Sequence, residues 1–103
     1  MLIPLPEVVS EDDITAGLER AARRRPDLPV ADVRVLLLDE GRCLQVMHVG
    51  SYDDEGPVLD RLHHEVMPAR GLDFNGRHHE IYLGDPRRMA PERLKTVLRQ
   101  PVR

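Results

Sequence analysis

The chain has 103 residues, 41% apolar and 32% charged, with a formal net charge of −3 at neutral pH. That length allows one domain, and the composition excludes a disordered or collagen-like chain. The acidic balance excludes a strongly basic nucleic-acid-binding surface, and no apolar run approaches the ~20 residues needed to cross a bilayer.

Leu2–Val9 is apolar but carries Pro4 and Pro6, so it reads as an edge strand or an extended arm. Its start has no basic segment of the kind that precedes a secretory core, and with the single cysteine, Cys43, this points to a reducing, cytoplasmic setting. Ser10 is a good N-cap, with Asp13 at the capping-box position and Val9 and Ile14 placed to form a hydrophobic staple. Glu11, Asp12 and Asp13 sit at the positive end of the helix dipole, and Arg20, Arg23, Arg24 and Arg25 at the negative end, before Pro26 stops the helix.

Val33–Leu38 reads as a strand and Asp39-Glu40-Gly41 as a turn. Arg42–Val49 is then a second strand, and the two are expected to pair as a hairpin. Asp53, Asp54 and Glu55 supply charge before Pro57, a residue suited to a first helical turn. Val58, Leu59, Leu62, Val66 and Met67 recur at helical spacing, which predicts an amphipathic helix over 57–67, ended by Pro68 and Gly71. Arg77–Leu83 reads as a strand, Ala90–Arg93 as a single helical turn, and Leu94–Gln100 as a last strand. The order from Arg42 onward is strand, helix, strand, strand. It predicts an α+β fold: an antiparallel sheet with helices packed on one face, preceded by an N-terminal strand and helix. Residues 1–30 form the arm and linking helix of this one domain, and 31–103 the module.

The richest chemistry lies in Arg77-His78-His79-Glu80-Ile81-Tyr82-Leu83. Alternate residues of a strand share a face, so His78, Glu80 and Tyr82 point one way and His79, Ile81 and Leu83 the other. Ile81 and Leu83 suit the face under the helix, which leaves Glu80, flanked by an imidazole and a phenol, on the open face. A carboxylate there can orient a cationic or polar ligand, with the tyrosine ring packed on its flat part. A desolvated Glu80 could also act as a general base or acid. His48, on the neighbouring strand, could join His78 and Glu80, but the His63-His64 and His78-His79 pairs split across faces and no His-Glu-x-x-His motif exists. No metal or cofactor is therefore expected.

Met47-His48-Val49-Gly50-Ser51-Tyr52-Asp53, Glu80-Ile81-Tyr82-Leu83-Gly84-Asp85-Pro86 and the closing Pro91–Val102 resemble, in order and separation, the GyrI-like small-molecule-binding family. The resemblance implies a tandem of strand-helix-strand-strand modules about a pseudo-two-fold axis, with a ligand groove between them. It places Glu80 in that groove with Tyr82 beside it; His78, His48 and Tyr52 are further candidate ligand-binding residues. The chain departs from the pattern at Ser51, where a proline is usual, and in carrying one module where the family has two. The implied function is binding of a small apolar, cationic or polyaromatic molecule. Two alternatives follow from relatives: a hydrolase of cyclopropane-bearing alkylating natural products, with Glu80 and Tyr82 catalytic, or an interaction module such as a topoisomerase inhibitor. A single module with an uncovered face is expected to form a homodimer, which restores the two-fold arrangement.

Overall fold

The computed structural model describes all 103 residues, which divide into two compact units, Met1–Leu37 and Leu38–Arg103.

In the first unit, helix α1 spans Glu11–Arg24. The capping box forms as its sequence requires: the Asp13 N–H donates to Ser10 Oγ at 3.1 Å, and the Ser10 N–H donates to Asp13 Oδ2 at 3.0 Å. Three acids in the first turn and Arg23 and Arg24 in the last complement the dipole. Arg25 closes the helix and grips Asp27 through two parallel hydrogen bonds of 2.9 and 2.7 Å. Residues 2–9 form no strand and keep only a turn, Val9 N–H to Pro6 O. The two prolines remove the donors a ladder needs.

In the second unit, strands β1 (Cys43–Val49), β2 (His79–Tyr82) and β3 (Lys95–Pro101) make an antiparallel sheet of order β1-β3-β2. A continuous helical segment joins β1 to β2. It opens with a 3-10 turn at Tyr52–Asp54, continues as α2 (Glu55–Arg61), widens to a π-helical turn at Leu62–Val66, and ends in one α-turn at Met67–Ala69. Pro68 therefore lies inside the helical segment rather than ending it. Its ring would clash with the carbonyl four residues back in a regular α-helix. The π-turn, in which the Met67 N–H reaches Leu62 O, gives the extra room. Gly71, at φ +63, then ends the segment in a left-handed turn.

The even residues of β3 face this helix and form the core. Leu62, Leu94 and Leu98 are buried, and Met67, Leu72 and Val102 form a buried cluster with Leu44 packed against it. Gln100 is buried too. Its Nε2 donates to Gly76 O and Pro101 O, so its Oε1 accepts from His63 Nε2 at 3.0 Å. Burial pushes the His63 imidazole below its usual range, against the Gln100 bond that favours its protonated form.

The expected Val33–Leu38 strand does not form, and β1 pairs only with β3. Glu40 explains why. Its carboxylate bonds His79 on β2 and Arg99 on β3, which draws residue 40 over the sheet face and away from the free edge of β1. No helix is long and apolar enough to cross a membrane.

Candidate functional site

The register of β2 on β3 fixes where Glu80 points. Glu80 lies opposite Leu98, and Tyr82 opposite Thr96; both partners are fully buried under the helix. Directly opposed residues in an antiparallel pair share a face. His78, Glu80 and Tyr82 therefore lie on the helix side of the sheet, and Ile81 and His79 on the open side. This reverses the sequence expectation. Because β2 is an edge strand, its side chains stand beside the helix rather than beneath it, so Glu80 and Tyr82 reach solvent on the side that also holds the helix.

Glu80 is the centre of a small polar constellation. The Tyr82 hydroxyl donates to Glu80 Oε2 at 2.6 Å, a charge-assisted bond, and His78 Nε2 stands 3.5 Å from Oε1. The Glu80 bond, with burial and the nearby Glu80 and Glu55 charges, pushes the Tyr82 phenol up to about 12. The Tyr52 ring, carried by the 3-10 turn that opens the helical segment, packs on Tyr82 with centroids 4.8 Å apart and planes tilted 49°. The two tyrosines and the turn 83–87 line a shallow depression of about 650 Å³. Asp85 organises that turn. It accepts from the Arg87 side chain and backbone, which together hold its carboxyl below the usual range. Gly84 allows the close turn, since a Cβ there would stand 2.7 Å from Met89 Sδ.

His48 lies inside the fold rather than at the exposed edge. It is buried, and its Nε2 donates to Ser51 O at 2.9 Å, fastening β1 to the turn that carries Tyr52. Gly50, at φ +145, lies against this ring, and a Cβ would come within 3.2 Å of Nε2. His48 thus positions Tyr52. The second histidine pairs are also divided: His63 stacks edge-on against Phe74 and lies 5.9 Å from His78, whereas His64 bonds Asp60 at 2.8 Å on the exposed helix face.

Several residues escaped sequence reasoning. On the open face Glu40, only 12% exposed at its side chain, joins His79 and Arg99. Burial raises its carboxyl, but the bonds from His79 and Arg99 outweigh that and hold it below its ordinary value. These partners lie 39 and 59 positions away, and no local signal reports them. Glu55, which read as helix-terminal surface charge, is buried instead.

An antiparallel sheet backed by one helical segment, with two tyrosines lining an edge depression and Glu80 bonded to one of them, defines an α+β module. The chain belongs to the GyrI-like small molecule binding domain family, whose model matches residues 14–103. Three solved structures from Listeria innocua are similar. One described as a hydrolase shares 35% identity at a TM-score of 0.77, covering 96% of this chain and 52% of that one. An uncharacterized conserved protein shares 37% at 0.81, covering 96% and 50%. Another hydrolase shares 36% at 0.77, covering 96% and 50%. The chain thus spans about half the length of these structures. No curated protein matches it.

Proposed function

We propose that Glu80, Tyr82 and Tyr52 form a recognition site for a small aromatic or apolar molecule bearing positive charge. The observation that carries this reading is the Glu80–Tyr82 bond beside the Tyr52–Tyr82 ring pair, at the rim of a depression. The carboxylate supplies charge, the rings supply apolar faces and cation–π attraction, and the exposed edge supplies access. Family membership supports small-molecule binding as the general role. Calorimetry with benzamidine and its neutral near-isostere benzamide tests the reading. Glu80→Gln should weaken benzamidine by about 1–2 kcal/mol and leave benzamide unchanged. Equal losses for both would make Glu80 structural.

The hydrolase descriptions of two similar structures favour a second, catalytic use of the same site. Glu80 would accept a proton from water as the water oxygen bonds to a carbon of an electrophilic cyclopropane; the ring C–C bond breaks, its electron pair passes into the conjugated carbonyl, and that product takes the proton back, with Tyr82 holding the carboxylate in place. Incubation with a cyclopropane-bearing alkylating natural product should give the ring-opened hydrate with the wild type and not with Glu80→Gln. Equal product with both proteins would exclude this use.

The open face favours self-association. Met47, 48% exposed, lies across from Val97, which lies across from Ile81, and Val49 is exposed beside them. Such an apolar band invites a second copy about a two-fold axis. Sedimentation at micromolar concentration should show a species near twice the 11.8 kDa chain mass. A single species at the chain mass would exclude the homodimer.

A further inference from the structure

Two buried side-chain oxygens lack any hydrogen-bond partner: Glu55 Oε1 and Thr96 Oγ1. Glu55 is 4% exposed and Thr96 0%. An unmet polar atom in a buried site is costly, and an unmet carboxylate oxygen more so, so each needs an explanation.

Each residue is tied to one member of the aromatic pair. Thr96 sits on the central strand directly between His48 and Tyr82, on the helix side of the sheet. Glu55 follows Tyr52 by one 3-10 turn, and its N–H donates to Tyr52 O. Residues three apart in a 3-10 turn eclipse one another, so Glu55 stands over Tyr52, which packs on Tyr82. The Glu55 charge also reaches the Tyr82 phenol and contributes to its rise. Glu80 thus bonds the Tyr82 hydroxyl, Thr96 lies across from Tyr82 on the central strand, and Glu55 lies one turn on from Tyr52.

The chemistry of the two atoms defines what complements them. An ionised carboxylate only accepts, and a threonine hydroxyl accepts as well as donates. A cationic nitrogen with several N–H bonds, such as a primary ammonium or an amidinium, satisfies both and adds charge opposite to that of the carboxylate. We propose that Glu55, with Thr96, is a second recognition point of this site and that the ligand is an aromatic dication, one cationic end on Glu80 and the other between the two tyrosines on Glu55. This proposal rests on the reading of Glu80, Tyr82 and Tyr52 as a ligand site. Tyr82 is 54% exposed and Tyr52 half-buried, so rotation of exposed aromatic side chains opens the way inward.

Calorimetry with 1,4-bis(aminomethyl)benzene and benzylamine separates the possibilities. The wild type should bind the diamine at least about tenfold tighter than benzylamine. Glu55→Gln, which is isosteric, should erase that preference, while Glu80→Gln weakens both ligands. If Glu55→Gln binds the diamine as the wild type does while Glu80→Gln does not, the inference falls and the site reading stands. A wild type that binds neither amine, or that is unaffected by Glu80→Gln, overturns the site reading and this inference with it. Thr96→Val keeps the test decisive if Glu55→Gln fails to fold: it should weaken the diamine and spare benzylamine, and wild-type affinity for the diamine would overturn the proposal.

Discussion

Replacing Glu80 by Gln should shift the ionisation of Tyr82. The hydroxyl donates to Glu80 Oε2 at 2.6 Å, and that bond, then burial, then the Glu80 and Glu55 charges push the phenol from 10 up to about 12. The chain holds two tyrosines and no tryptophan, so tyrosinate absorbance reports Tyr52 and Tyr82 alone. Glu80→Gln removes the charged acceptor and should return the Tyr82 transition towards 10. Stability carries the same signature. Below pH 10 the folded and unfolded chains both keep the proton. Between pH 10 and about 12 the unfolded chain releases it first, so the folded state binds more protons and stability falls as pH rises. A two-unit shift would be worth about 2.7 kcal/mol in full, but Tyr82 is 54% exposed, and solvent screening reduces this to about 1 kcal/mol. The assay is a spectrophotometric titration of wild type and variant, with urea unfolding at pH 9 and at about pH 11. A wild type in which both phenols ionise together near 10, or a variant that titrates as the wild type does, would refute the Glu80–Tyr82 coupling.

Two further outcomes follow from the same geometry. Glu40→Gln leaves His79 and Arg99 without their shared carboxylate in a site where Glu40 is only 12% exposed, and should cost about 2–4 kcal/mol in urea unfolding. Because the Glu40 carboxyl is held below 4.5, its contribution is present above pH 4.5 and fades as pH falls through the folded value; a variant as stable as wild type at pH 7 would show the cluster to be idle. Gly50→Ala forces a side chain onto φ +145 and presses a Cβ to 3.2 Å from His48 Nε2, so it should lower stability by about 1–3 kcal/mol and loosen Tyr52; an unchanged melting temperature would contradict this.

Local signals carried helix α1 and most of the second unit. The capping box at Ser10, the helical spacing from Val58 to Met67 and the strand order after Arg42 all reappear in the structure. The face of Glu80 did not. Alternation tells which residues of a strand share a side, not which side is covered. That is decided by β3, whose buried residues include polar Thr96 and Gln100 and whose solvent-side neighbours include Val97, so its own pattern hides its inner face. The strand expected at Val33–Leu38 had good local alternation but no partner, because Glu40 bonds across the sheet to residues far along the chain. The burial of Glu55 was equally hidden, since Asp53, Asp54 and Glu55 read as one acidic run and only the 3-10 turn separates them. The motif around Glu80 grouped residues that the structure also brings together, His78, Glu80 and Tyr82, and Tyr52 joins them through tertiary packing.

Titration of isotope-labelled protein with benzamidine, followed by amide chemical shifts, tests most directly whether the Glu80 edge is the ligand site. The account predicts saturable shifts confined to the turn carrying Tyr52, to Glu80–Tyr82 and to the 83–87 turn, and their loss in Glu80→Gln. Shifts centred on Met47, Ile81 and Val97 of the open face, or the same shifts in Glu80→Gln as in the wild type, would contradict it.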